Sequence, residues 1–131
     1  MLVLVDTNVI ADVLHGDPVW AEWACGQLNQ HVGELVINPL IYAELCYHAH
    51  SRGEVDELVA RFGFRYQELP RQALFLAAQV YRTYRQRGGA KTAPLSDFFI
   101  GAHAKAAGIP LLTRDQGRYK TYFPEVSLIC P

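Results

Sequence analysis

Four acids carry the chemistry that this sequence offers. Asp6 ends the apolar run of "LVLVDTNVI", Glu44 sits within "LIYAELCY", Asp97 within "PLSDFFIGAHAKAAG" and Asp115 within "LLTRD". A carboxylate among apolar neighbours is costly to desolvate unless something answers its charge. Four of them converging would also repel one another and raise some of their pKa values. A divalent cation removes that conflict, and an all-oxygen donor set suits Mg²⁺ or Mn²⁺. Taken singly, each acid has a plainer reading. Asp6 after a strand suits a turn or a helix cap, Asp97 behind Ser96 suits a helix dipole, and Asp115 in "RDQG" suits a turn. Spacing alone leaves both readings open.

To share a site, the four acids need elements that bring them to one edge. Short apolar runs alternate with helical stretches along the chain, which predicts an α/β fold with a mostly parallel, five-stranded sheet. The expected strands are 2–5, 34–38, 65–69, 109–113 and 126–130. The expected helices are 19–30 behind the Asp17-Pro18 cap, 39–52 opened by Pro39, and 54–62. Two more are expected: Arg71 to Arg87, closed by Gly88-Gly89, and Pro94 to Ala107, closed by Gly108. In an open sheet of this kind, ligands bind beyond the C-terminal ends of the strands. Asp6 follows the first strand and Asp115 the fourth. Glu44 lies in the second turn of the helix after the second strand. Asp97 lies in the first turns of the helix that leads into the fourth. Right-handed crossovers would carry both helices over the same edge.

The bulk numbers set bounds. At 131 residues, the chain predicts one domain over 1–131, with room for a proper core. No stretch approaches the roughly 18 apolar residues of a membrane span, and Asp6 breaks the first apolar run too early for a secretory signal. Cys25, Cys46 and Cys130 are odd in number and form no CxxC pair, which predicts reduced, packed thiols in a cytoplasmic protein. The formal charge of −1 does not by itself point to nucleic acid. Setting the four acids aside leaves 12 basic residues against nine acidic ones, a balance compatible with a polyanionic partner.

Taken in order, "LVDTNVIADVL", the isolated Glu of "LIYAELCYHA", "LSDFFIGAHAKAAGIPLLTRD" and the closing "GRYKTYFPEVSLICP" resemble the PIN-domain ribonucleases, specifically the VapC toxins, over essentially the whole chain. The resemblance implies a PIN-like α/β/α sandwich and an endoribonuclease that uses Mg²⁺ or Mn²⁺. It also implies a homodimer restrained by a small cognate antitoxin. By the same resemblance, Asp6 and Asp97 would be the firmest metal ligands. Glu44 and Asp115 would complete the catalytic pocket directly or through water, and Asn8 and Thr113 would support it. Residues 50–90 carry no family motif, which leaves the choice of RNA open.

An RNA backbone near four acids needs cations. The candidates are Arg85, Arg87 and Lys91 around Gly88-Gly89, and Arg114, Arg118 and Lys120 beside Asp115, with Arg114 first because it adjoins that acid. Tyr119 and Tyr122 would stack on unpaired bases. Each of these residues equally suits an ordinary solvated surface. The five histidines read as structural or surface residues: His48 and His50, two apart on a helix, cannot form the i, i+4 pair of a zinc site. Leu74, Phe75, Ala78, Tyr81, Arg82 and Arg85 form a stripe that suits a core face with a basic end, or a dimer or antitoxin surface. An aspartate-based phosphatase would need a second Asp where Asn8 stands. A phosphotransfer receiver would need an acidic pair before the end of the first strand and a lysine after the last, and "MLVLV" and "VSLICP" supply neither. The competing reading is a catalytically silent PIN-like module that binds RNA or protein without cutting.

Overall fold

The computed structural model describes residues 1–90 and 95–131. Five strands, β1 (Val3–Val5), β2 (Leu35–Ile37), β3 (Arg65–Tyr66), β4 (Leu111–Leu112) and β5 (Leu128–Ile129), form one sheet in the order β3-β2-β1-β4-β5. Every pairing is parallel, with Leu4 of β1 opposite Val36 on one side and Leu111 on the other. The side chains of β1, β2 and β4 are buried throughout, as expected of parallel strands covered on both faces. The strands are shorter than their apolar runs. Pro39 and Pro110 limit β2 and β4, because proline has no N–H to extend a ladder.

Among the described residues seven helices cover this sheet, giving an α/β/α sandwich: α1 (Thr7–Leu14), α2 (Ala21–Gln30), α3 (Pro39–Tyr47), α4 (Arg52–Phe62), α5 (Arg71–Gln86), α6 (Leu95–Ala107) and α7 (Gly117–Tyr122). Helices α1 and α7 were not expected from the sequence. The β-branched "TNVI" hides the start of α1, and α7 is too short to show a period. The expected helix 39–52 ends at Tyr47, because Ser51 caps a new helix by accepting the Glu54 N–H at 3.2 Å. Asp17 accepts the N–H groups of Val19 and Trp20, each at 2.9 Å, so the chain makes a turn before α2 begins. Gly108 adopts φ +65° and ends α6, as expected. The start expected for that helix at Pro94 lies outside the described residues.

The stripe on α5 is displaced from the core. Ala73 and Ala77 are buried, whereas Leu74 and Phe75 are 40% and 67% exposed, so the buried face lies next to the expected one. Below the buried face, Phe98 of α6 packs against Tyr81, Tyr84 and Tyr122, with ring centroids 5.1–5.8 Å apart. Helix α6 also approaches the end of α7 closely: a Cβ at Gly101 would stand 2.4 Å from the Phe123 ring. Cys46 and Cys130 are half-buried, but Cys25 is exposed rather than packed, and none of the three forms a disulfide.

Candidate metal centre

The strand order reverses between β1 and β4, with β2 and β3 on one side and β5 on the other. Asp6 leaves β1 at this switch point as the N-cap of α1, and Asp115 follows β4. An open α/β sheet has its crevice there. Asp6 is 5% exposed. Its Oδ2 accepts hydrogen bonds from the Thr113 hydroxyl at 2.8 Å and the Tyr119 hydroxyl at 3.1 Å, with Asn8 Nδ2 more distant at 3.4 Å. Oδ1 accepts none of these.

These donors are neutral, so burial dominates and pushes the Asp6 pKa up to about 6; the Thr113 and Tyr119 hydroxyls pull it down, and the charges of Asp97 and Glu44 raise it. Asp97 is raised as well, first by burial and then by Asp115, against the lowering effect of Arg118. The four acids therefore act on one another electrostatically.

Asp6, Glu44 and Asp97 each meet a side chain of a second element, whereas the exposed Asp115 is held through its backbone at Thr113. Glu44 of α3 accepts the Thr7 hydroxyl of α1 at 2.8 Å and, more weakly, the Ser96 hydroxyl of α6 at 3.5 Å. Buried Asn38 caps α3 by accepting the Ile41 N–H at 3.0 Å, and its amide donates to His103 Nδ1 of α6 at 3.1 Å. Asn38 thereby ties together the helices that bear Glu44 and Asp97. It also fixes His103 with its proton on Nε2, and burial lowers the pKa of that ring. The backbone N–H of Asp115 donates to Thr113 Oγ1 at 3.1 Å, and that of Arg114 to Asn8 Oδ1 at 3.2 Å. Asn8 and Thr113 thus join the ends of β1 and β4.

The cations are arranged differently from the sequence expectation. Arg114 makes a two-pronged pair with buried Asp12 of α1, at 2.7 and 3.0 Å, with its guanidinium 5.7 Å from the Trp20 ring centroid. Arg118 Nη1 contacts Asp97 Oδ2 at 2.6 Å. Arg85, Arg87 and Lys120 are exposed, and Lys91 lies outside the described residues. Tyr119 is fully buried beneath Asp6, and Tyr122 is half-buried in the cluster around Phe98, so neither ring is free to stack on a base. Sequence reasoning missed Asp12, Thr7, Ser96 and Asn38. Asp12 lies in the apolar "VIADVL", the same signal that marked Glu44, and Asn38-Pro39 is a readable cap.

The donor chemistry fits a hard divalent cation: all four candidates are oxygen acids, and no Lys or Arg among the described residues pairs with buried Asp6. As they stand, no three Asp, Glu, His or Cys side chains among the described residues close around a common point. A half-open cavity of about 360 Å³ lies elsewhere, between the ends of α1 and α3 and helix α4, lined in part by Leu14, Leu45, Val55 and Leu58. No acid of the quartet lines it.

A short parallel sheet between helices, with acids gathered where β1 and β4 part, is the organisation of a PIN domain. The chain belongs to that family, whose model matches residues 3–124. Similar solved structures include VapBC2 of Rickettsia felis bound to a DNA fragment from its promoter (18% identity, 100% of this chain and 99% of that one, TM-score 0.75). FitAcB of Neisseria gonorrhoeae (23% identity, 98% and 96%, TM-score 0.70) and a toxin–antitoxin complex from Klebsiella pneumoniae (18% identity, 95% and 94%, TM-score 0.70) are also similar. At these identities the likeness is one of fold. No curated protein matches the sequence. None of the described helices is long and apolar enough to cross a membrane.

Proposed function

We propose that this PIN domain is a metal-dependent endoribonuclease of the VapC type, the toxin of a cytoplasmic toxin–antitoxin pair. One observation carries the reading: a buried carboxylate, Asp6, stands at the switch point among three further acids, held by neutral donors alone among the described residues. Asp6 and Asp97 would be the main ligands of Mg²⁺ or Mn²⁺, with Glu44 and Asp115 completing the set. A bound divalent ion would supply Lewis acidity, activating water and offsetting charge on the phosphodiester.

The chain's own residues would do the rest. Thr113 and Tyr119 hold Asp6 Oδ2, which leaves Oδ1 facing the ligand. Thr7 and Ser96 orient Glu44. No Ser, Cys or His nucleophile is needed. Exposed Arg85 and Arg87 are the candidates for the RNA backbone, with Lys91 beside them in sequence and Arg114 contributing what its pair with Asp12 leaves free. The neighbour from Klebsiella pneumoniae is a toxin–antitoxin complex, which supports a small antitoxin as partner. The exposed Leu74 and Phe75 of α5 are candidates for the antitoxin contact or for a homodimer contact.

A silent binding module is the second reading. Arg118 already neutralises Asp97, and the acids do not close around one point. Purified, partner-free protein incubated with single-stranded RNA and Mg²⁺ or Mn²⁺ separates the two. The nuclease reading expects cleavage that stops with EDTA and falls to background in Asp6→Asn, with folding intact. RNA binding without cleavage, unchanged in Asp6→Asn, would establish the silent module instead.

A further inference from the structure

Among the described residues, Arg118 is the only cation hydrogen-bonded to a member of the acidic quartet. We infer that Arg118 stands in for the divalent ion in the metal-free protein and competes with it for Asp97. The inference rests on the metal-dependent reading and adds a device that sets how readily metal enters.

Three features support it. Arg118 reaches Asp97 Oδ2 with one nitrogen, Nη1, at 2.6 Å, occupying an oxygen that a metal would use. The two side chains are 25% and 20% exposed, so the contact is protected enough to form and open enough to be exchanged. The arginine is also anchored at its base. Its neighbour Tyr119 is fully buried beneath Asp6, whereas the guanidinium at the tip lies over Phe98, its carbon 5.7 Å from the ring centroid. Metal entry would therefore need only the side-chain tip to move, with the backbone held at Tyr119.

Asp97 cannot give the same oxygen fully to both cations. When a competent state is populated only in part, the apparent affinity falls by that fraction. A charge-assisted hydrogen bond of ordinary strength corresponds to about a tenfold effect. Arg118 thus holds metal affinity about tenfold below what the carboxylates alone would give. Once displaced, its guanidinium becomes available at the same edge for a phosphate.

The test is Mn²⁺ binding to metal-free protein, followed by the loss of the free-ion paramagnetic resonance signal at fixed ionic strength. The set is wild type, Arg118→Gln, Arg118→Met and Arg114→Gln, each checked for folding by near-ultraviolet circular dichroism. Both Arg118 variants are expected to bind Mn²⁺ about tenfold tighter than wild type. Arg114→Gln, which removes an equal charge without touching Asp97, is expected to shift affinity far less. The Met variant keeps an apolar stem over Phe98, so it covers the case in which Gln fails to fold. Wild-type binding with no tightening in the Arg118 variants, or with equal tightening in Arg114→Gln, overturns the competition alone. If no protein in the set binds Mn²⁺, the metal-dependent reading fails with it.

Discussion

Two arginines four residues apart answer carboxylates in opposite ways. Arg114 grips Asp12 with both prongs of its guanidinium, and the Asp12 side chain is only 7% exposed. That pair fastens α1 to the end of β4. Arg118 meets Asp97 through one nitrogen, on a carboxylate more exposed than Asp12 that already feels Asp115. A planar fork matched to a carboxylate is hard to replace, whereas a single contact exchanges readily. The same residue pair therefore acts as a fastening in one region and as a displaceable cover in the other. Asp6 has no cation hydrogen-bonded to it among the described residues.

The largest expected effect separates the uncompensated region from the fastened one by pH. The pKa of Asp6 in the folded protein, about 6, stands above its ordinary 3.8, so the folded state binds that proton more tightly than the unfolded state does. Its carboxylate therefore costs nothing below pH 4, and the cost grows as pH rises through 6. Urea unfolding of metal-free protein should find Asp6→Asn no more stable than wild type at pH 4 and about 3 kcal/mol more stable at pH 7. A difference that does not change with pH would mean that burial does not dominate at Asp6.

Breaking the fastened pair comes next. Arg114→Ala leaves the Asp12 carboxylate buried without its partner. Such losses reach about 3–5 kcal/mol in a fully buried pair, and the 36% exposure of Arg114 reduces this to about 2 kcal/mol. Arg118→Gln should cost less than half as much in the same denaturant series. A reversed order would dissolve the contrast between the two regions.

The smallest effect sharpens the account of Asp6. Thr113→Val removes the hydroxyl at 2.8 Å, which lowers the Asp6 pKa, so the variant should carry a pKa above about 6. In metal-free protein the pH midpoint at which Asp6 titrates should move upward, with about 1 kcal/mol of stability lost at neutral pH. An unmoved midpoint would detach Thr113 from the function of the acid.

Much of the fold was legible because parallel strands buried on both faces leave uninterrupted apolar runs, and "LVLV", "LVI" and "LL" lie where the sheet has them. The four acids were legible for a local reason too: each adjoins a strand end or falls within an apolar helix. Their partners were not. Arg114 and Asp12 lie 102 positions apart, and Thr113 and Asp6 lie 107 apart, so no window of sequence records either contact. Tyr119 misled because a tyrosine among basic residues has the same composition whether it stacks on a base or supports a carboxylate. On α5, the buried alanines carry a weaker signal than the leucine and phenylalanine that face outward, which shifted the expected stripe.

The seat of α6 on Phe123 at Gly101 involves no charge. Added salt shortens the Debye length, about 8 Å at physiological strength, and weakens ion pairs in proportion to their contact with solvent, which both arginine pairs have. Steric fit between a ring and a bare backbone has no such dependence. Raising the ionic strength would therefore loosen the cover over Asp97 while the helix that carries Asp97 keeps its position. At this edge, salt acts on the side chains, and the seat of the helix beneath them is set by shape.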